Sequence, residues 1–240
     1  DVFYADWVLR AGERKIISFG IENFADVMAK NVICDEAGSR FDVCYQQQSL
    51  TCSIPLLGQH NVMNALSVIA AGLAFNLELP TIIAQLKTMP SVSGRLQWVE
   101  GKKGIRILND SYNASPASVK AAIDVLALWK DKAWLVLGDM AELGADSAVI
   151  HAEMGEYAKQ KGIANMLATG TDCRHAVEAF NKDSHIRNAH WFEQQDELLN
   201  YINKNMHSNQ VYLVKGSRSA GMDKVVSALT LVRVAKNGEV

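Results

Sequence analysis

Residues 109–116 are mostly polar, and they lie between an apolar run at residues 105–108 and an amphipathic segment that follows. The apolar run predicts a strand, and Ser115 followed by a proline is typical of a helix start. Ligands bind at such strand ends in open α/β sheets. Asp110 is well placed to accept hydrogen bonds from the two hydroxyls of a ribose. The alternative is that Asp110 and Asn113 are ordinary turn residues.

Residues 58–64 carry a second polar group, in which Asn61 and Asn64 share one face of a predicted helix start. An asparagine side chain can pair bidentately with adenine, which makes both residues candidates for adenine binding. The alternative is that the asparagines only begin the helix and that His60 is a structural histidine.

Arg95 directly follows a serine and a glycine in the best candidate linker, residues 90–94. A glycine hinge would let its guanidinium swing onto a phosphate when two domains close. The alternative, a solvated linker arginine, is favoured as long as Arg95 is considered alone.

Two further polar groups follow predicted strands. Asp139 and Glu142 come after a strand that ends at a glycine, and their carboxylates could hold an ammonium group. Capping and turn roles are about equally favoured for them. Lys215, Ser217 and Arg218 form a plausible site for a phosphate or a carboxylate. The chain contains neither the G-x-x-x-x-G-K-[ST] phosphate loop nor the G-x-G-x-x-G dinucleotide motif.

Hydrophobic periodicity predicts the elements that position these groups. Before the linker, we predict a strand over residues 15–19, a hairpin over 41–57, and helices over 61–75 and 81–87. After it, we predict strands over residues 105–108, 133–137, 165–168, 190–192 and 211–214. Helices are predicted over residues 117–128, 148–161, 174–180 and 196–206, and an edge strand over 229–234. This alternation predicts an α/β fold with a mostly parallel sheet.

The composition excludes several classes of protein. The 240 residues, 49% of them hydrophobic, are typical of one large globular domain or two ordinary ones. A net charge of −2 provides no general basic field for nucleic acid. The four cysteines form no CxxC pair, which favours free thiols in a reducing compartment. The longest apolar helix candidate, residues 65–75, is too short to span a bilayer, so we expect no membrane insertion. The chain begins with Asp1 rather than Met, and we interpret it as part of a longer protein.

Five strings follow one another along the chain. They are Gly-Gln-His-Asn-Val-Met-Asn at residues 58–64, Gly-Arg at 94–95, Asp-Ser-Tyr-Asn-Ala-Ser-Pro at 110–116, Gly-Asp-Met-Ala-Glu-Leu-Gly at 138–144 and Lys-Gly-Ser-Arg-Ser at 215–219. Their order, spacing and residue types resemble the motifs of the Mur ligases of bacterial cell-wall synthesis. The resemblance covers essentially the whole chain. It implies that residues 1–94 are the end of the central ATPase domain. Residues 95–240 would then be the carboxy-terminal Rossmann-like domain.

The resemblance implies an ATP-dependent, ADP-forming ligase. Such an enzyme would join D-alanyl-D-alanine to UDP-N-acetylmuramoyl-tripeptide through an acyl phosphate in peptidoglycan precursor synthesis. ATP and Mg²⁺ would be the cofactors, with the metal ligands in an upstream segment that has no counterpart here. We expect a cytoplasmic monomer.

The resemblance also implies a role for each candidate residue. Asn61 and Asn64 would bind adenine with His60 in support, Asp110 would bind ribose, and Arg95 would meet the nucleotide phosphates. Lys215, Ser217 and Arg218 would contact the dipeptide carboxylate or the acyl phosphate. Lys215 and Arg95 would be the catalytic residues. Weaker candidates for the dipeptide pocket are Asn113, Ser115, Asp139 and Glu142.

Two other classes stay open. One is another ligase of the same superfamily, such as a folylpolyglutamate synthase, although the string at residues 110–116 does not look like that enzyme's. The other is a nucleotide-binding module without catalysis. Because the phosphate loop is absent, we expect the 240-residue chain alone to be inactive.

Overall fold

The computed structural model describes residues 2–182 and 188–231. The chain divides into two compact units, Asp1–Pro90 and Ser91–Val240, which are called the first and the second unit below. The division falls within the predicted linker, residues 90–94.

The first unit is a four-stranded sheet with helices packed against it. Its elements are α1 (Tyr4–Ala11), β1 (Phe19–Gly20), β2 (Val27–Asp35), β3 (Gly38–Tyr45), β4 (Gln48–Ile54), α2 (Gln59–Ala74) and α3 (Leu79–Leu86). The strands β2, β3 and β4 form an antiparallel meander, and β1 pairs in parallel with β2. The predicted hairpin and both predicted helices are confirmed.

One face of α2 closes the core of the first unit. Its buried residues include Val62, Leu66, Ile69 and Leu73, which recur every three or four positions. They share one core cluster with alternate residues of the strands, among them Phe41. This packing fixes the start of α2, where the predicted adenine residues lie.

The second unit contains a six-stranded sheet in the order β5-β6-β10-β7-β8-β9. Its elements are β5 (Gln97–Glu100), β6 (Arg106–Asp110), α4 (Pro116–Leu126), β7 (Ala133–Gly138), α5 (Ser147–Gln160), β8 (Asn165–Thr169), α6 (Cys173–Asn181), β9 (Ala189–Phe192), α7 (Gln195–Asn205), β10 (Val211–Lys215) and α8 (Met222–Leu229). All strand pairs are parallel except β5 with β6. The predicted α/β class and mostly parallel sheet are confirmed.

The central strands β7 and β10 are buried along their whole length, as expected for a parallel sheet. On one face, α7 and α8 pack against Val136, Tyr212 and Val214. Because the parallel strands all end at the same edge, the polar segments after β6, β7, β8, β9 and β10 meet there.

Two element predictions are wrong. Residues 15–18 form no strand, and Ser18 instead donates its hydroxyl to Asp26 at 2.6 Å. The predicted edge strand over 229–234 is wrong for residues 229–231, because Leu229 is the last residue of α8. Thr230 makes only a single bridge, and residues 232–234 lie outside the described residues. The cause is the helical spacing of the buried residues of α8, which extends to Leu229.

Among residues 2–182 and 188–231, no helix combines the length and the apolar character needed to cross a membrane.

Candidate functional site

An ion pair joins two neighbouring strand ends in the second unit. In the sheet register Lys215 of β10 lies opposite Asp110 of β6, and its Nζ donates to Asp110 Oδ2 at 2.6 Å. Lys215 is only 2% exposed and also donates to the Asn113 carbonyl at 2.9 Å. The other carboxylate oxygen, Oδ1, accepts from the backbone N–H of Leu96 at 3.1 Å. Asp110 is therefore held from two sides.

The turn after β6 is built as the sequence predicts. Ser115 is the N-cap of α4, its hydroxyl accepts from the N–H of Ser118, and a proline follows it. Asn113 Oδ1 accepts from the N–H of Ala114 at 2.9 Å. Both Asn113 and Ser115 are exposed beside the ion pair, so their remaining polar atoms can reach a ligand.

Arg95 lies against the same turn. Its guanidinium carbon is 4.6 Å from the ring centroid of Tyr112, which is close enough for a cation–π contact. The N–H of Tyr112 donates to the carbonyl of Gly94 at 3.1 Å. Gly94 has φ +75°, and a Cβ there would lie 3.2 Å from Tyr112 Cβ. Gly94 and Arg95 thus pack against the turn after β6.

In the first unit, the predicted adenine residues form a hydrogen-bonded group at the start of α2. Asn61 Nδ2 donates to the Leu57 carbonyl at 2.8 Å and lies 3.1 Å from His60 Nε2. Asn61 Oδ1 accepts from Asn64 Nδ2 at 3.2 Å. Asn64 is exposed and Asn61 half-buried. This group favours Asn64 as the side chain presented to a ligand, with Asn61 and His60 holding it.

Asp139 stabilises a helix start. Its Oδ1 accepts from the N–H groups of Asp172 and Cys173 at 3.1 and 2.9 Å, where α6 begins. Gly170 approaches so closely that a Cβ would lie 2.4 Å from the Asp139 carboxyl carbon. Asp139 therefore has a capping role, the alternative that the sequence left open beside ligand binding.

Behind Asp139 lies His151, which is fully buried. Its Nε2 accepts from the N–H of Met140 at 3.0 Å, and its Nδ1 donates to the Ser147 carbonyl at 2.8 Å. The ligating atoms of Asp139, His151 and Cys173 lie within 4.8 Å of one another, as in a metal site. However, burial and the nearby Asp139 carboxylate raise the pKa of the Cys173 thiol well above its ordinary value. These three groups do not fit a hard cation such as magnesium, which prefers oxygen ligands.

The remaining predicted residues differ in exposure. Ser217 is 1% exposed and its hydroxyl accepts from the N–H of Ala220, so it caps a short 3-10 helix. Arg218 and Glu142 are exposed, and Glu142 has φ +62°, which is uncommon for a long side chain. Of these three residues, only Arg218 presents a cation at the surface.

Sequence reasoning missed an open cleft of about 530 Å³ at the same edge of the sheet. It is lined mainly by the segments after β8, β9 and β10, including Thr169, Glu193, Gln195, Ser219 and Lys224. Gln195 Nε2 donates to the carbonyl of Ala220 at 2.6 Å and so joins α7 to the loop before α8. The sequence contained part of the information needed to predict this cleft, because polar residues follow β8 and β9 just as they follow β6 and β7.

The chain is similar to known proteins over nearly its whole length. Residues 1–72 match the family described as Mur ligase middle domain, and residues 94–218 match Mur ligase, glutamate ligase domain. A UDP-N-acetylmuramoyl-tripeptide–D-alanyl-D-alanine ligase of Escherichia coli K12 is 35% identical over 94% of this chain and 49% of its own length. The Bacillus subtilis protein of the same name is 33% identical over 88% of this chain and 46% of its own length.

Solved structures agree with the fold. The crystal structure of MurF from Acinetobacter baumannii superposes with a TM-score of 0.83 at 28% identity, and the match covers 94% of this chain and 49% of that one. A MurF ligase from Thermotoga maritima in complex with ADP gives 0.77 at 19% identity, over 94% and 51% of the two chains, which is a likeness of fold alone. The chain thus spans about half the length of the curated relatives it matches.

Proposed function

Because this chain belongs to the Mur ligase family, we propose that it is part of a ligase that joins D-alanyl-D-alanine to UDP-N-acetylmuramoyl-tripeptide. The observation that carries the proposal is the identity of 35%, over 94% of the chain, to the Escherichia coli ligase of that name. The geometry supports it, since the predicted nucleotide and dipeptide residues of the second unit meet at the carboxyl edge of one parallel sheet.

The proposed reaction activates a carboxylate and then forms an amide. The terminal carboxylate of the tripeptide attacks the γ-phosphorus of ATP, which gives an acyl phosphate and ADP. The neutral amine of D-alanyl-D-alanine attacks the acyl carbon, and the tetrahedral intermediate expels phosphate to leave the amide. Phosphorylation is needed because a carboxylate is a poor acyl donor, and the amine has to be held close to the acyl phosphate.

We propose a nucleotide-binding role for the candidate residues of each unit. Asn64 pairs with adenine while Asn61 and His60 hold it in place. Asp110 accepts hydrogen bonds from the ribose hydroxyls. Arg95 leaves the Tyr112 ring and meets the phosphates when the nucleotide binds, because phosphate is the stronger partner for a guanidinium.

The dipeptide is proposed to lie beside the ion pair. Arg218 is an exposed cation that suits its carboxylate, with Ser217 next to it. Further candidates are Asn113, Ser115, Glu142 and Asp139, the last of which also lines the cleft. We assign no magnesium ligand to the described residues, because the cluster of Asp139, His151 and Cys173 does not fit that ion. A cytoplasmic monomer remains part of the proposal.

The second candidate, a nucleotide-binding module without catalysis, applies to the 240-residue chain alone. It is favoured there by the absence of a phosphate loop from the sequence. The chain alone is expected to release no phosphate from ATP.

The test uses this chain joined to an amino-terminal half of the kind that its relatives carry, called the full-length ligase below. Purified protein is supplied with ATP, magnesium and UDP-N-acetylmuramoyl-tripeptide, and the acceptor is D-alanyl-D-alanine or, in parallel, a single amino acid. With the dipeptide as acceptor, we expect phosphate release and a product heavier than the tripeptide substrate by the mass of the dipeptide minus one water. With the single amino acid, we expect neither. Equal phosphate release with a single amino acid, or none with the dipeptide, would refute the proposal.

A further inference from the structure

Lys215 is turned toward its own protein. It is only 2% exposed, and its ammonium donates to Asp110 Oδ2 at 2.6 Å and to the Asn113 carbonyl at 2.9 Å. An ammonium group has three N–H donors, so two of them are committed to the turn after β6. One donor is left, but the side chain is only 2% exposed, so a dipeptide carboxylate has little access to it.

The partner of Lys215 is more accessible. The Asp110 side chain is 13% exposed, and its Oδ1 is fixed by the N–H of Leu96 at 3.1 Å. A carboxylate held at both oxygens cannot turn freely, so the direction in which it faces a ligand is fixed. Such fixing improves binding because less conformational freedom is lost when the ligand arrives.

We propose that Lys215 is a positioning residue for the nucleotide, which acts on the ribose through Asp110 and does not contact the dipeptide. This inference rests on the proposed function for the ribose role of Asp110. It replaces the direct contact between Lys215 and the dipeptide or acyl phosphate that the sequence favours. Among the residues predicted for the dipeptide, the exposed Arg218 then remains as the cation.

The experiment measures how well the full-length ligase distinguishes ATP from 2′,3′-dideoxy-ATP, which lacks both ribose hydroxyls. Direct binding of the two nucleotides is measured by calorimetry, and the Michaelis constant of D-alanyl-D-alanine is measured with saturating ATP. The wild type is expected to bind ATP about tenfold or more tightly than the analogue, because charge-assisted hydrogen bonds are lost.

Lys215→Met is expected to reduce this discrimination to about threefold or less, with the dipeptide Michaelis constant within about twofold of the wild type. Lys204→Met is the matched control, because it makes the same chemical change at an exposed position of α7. It is expected to keep the wild-type discrimination. A merely structural role for Lys215 would lower the folded fraction and leave the discrimination of the folded molecules intact.

Lys215→Arg keeps the charge of the pair and is expected to restore the discrimination that Lys215→Met loses. Lys215→Gln, which also removes the charge, is measured if the Met variant does not fold. A folded Met or Gln variant with the wild-type discrimination overturns the positioning role. A raised dipeptide Michaelis constant in any of these variants, with discrimination retained, overturns it, and so does a wild type that binds both nucleotides equally. These results are separate from the proposed function, which fails only if the wild type makes no dipeptide product.

Discussion

Two parts of the same sheet edge carry a strand-end aspartate, and they use it differently. Where β6 and β10 end, Asp110 pairs with Lys215 and is 13% exposed, with the exposed Asn113 beside it. Where β7 and β8 end, Asp139 is 28% exposed, and its Oδ1 accepts two backbone N–H groups at the start of α6. The two strand ends therefore differ in what fixes the carboxylate, a buried cation at one and helix-start amides at the other, rather than in how exposed the carboxylate is.

The largest expected effect is on stability at the β6–β10 end. Lys215→Met leaves the Asp110 carboxylate without its cation, and we expect the free energy of unfolding to fall by about 3–5 kcal/mol. Adding Asp110→Asn should recover most of this loss, because no unpaired charge then remains. Urea denaturation of the single and double variants measures both values. A double variant as unstable as the single one would contradict the ion-pair account.

Next in size is the effect of Asp110→Asn on nucleotide binding. In the full-length ligase we expect the Michaelis constant of ATP to rise by the equivalent of about 1.5–3 kcal/mol, roughly tenfold to a hundredfold. Turnover should change less, because the ribose is remote from the reacting phosphorus. Steady-state kinetics with varied ATP provides the measurement, and an unchanged Michaelis constant would remove Asp110 from the ribose site.

Asp139→Ala tests the aspartate that follows β7. Two hydrogen bonds to the start of α6 are lost, so the free energy of unfolding should fall by about 1–2 kcal/mol. The Michaelis constant of ATP should stay at the wild-type value. A stable variant with weakened ATP binding would show that the two strand ends have been assigned the wrong way round.

The smallest expected effect is the response of Asp139, His151 and Cys173 to metal. Equimolar zinc should leave the melting temperature unchanged, because His151 Nε2 and Asp139 Oδ1 already accept backbone N–H groups. Alkylation of Cys173 should stay slow at pH values where an exposed thiol reacts readily, since its raised pKa keeps it as the thiol. A zinc-dependent rise in melting temperature, or rapid labelling of Cys173 at neutral pH, would contradict the structural role of this cluster.

Local signals in the sequence predicted much of the second unit. Ser115 was identified as the N-cap of α4 because capping depends on neighbouring residues, and the strands followed from short apolar runs. The short helix α8 was missed, since its apolar residues continue into a run that also suits a strand. The element pattern did not reveal that β10 inserts between β6 and β7, which brings Lys215 to Asp110 across 105 positions.

The capping role of Asp139 was likewise not resolved from the sequence. Its partners, the N–H groups of Asp172 and Cys173, lie 33 and 34 positions away along the chain. They reach Asp139 only because β7 and β8 are neighbours in the sheet. Local turn chemistry alone left ligand binding and capping equally open for this residue.

A crystal structure of the full-length ligase with bound ADP is the most direct test of the contrast between Asp110 and Asp139. We predict that both ribose hydroxyls lie within about 3.2 Å of the Asp110 carboxylate oxygens, with the Lys215 ion pair intact. A ribose bound against Asp139, or one that leaves Asp110 without contact, would contradict the account.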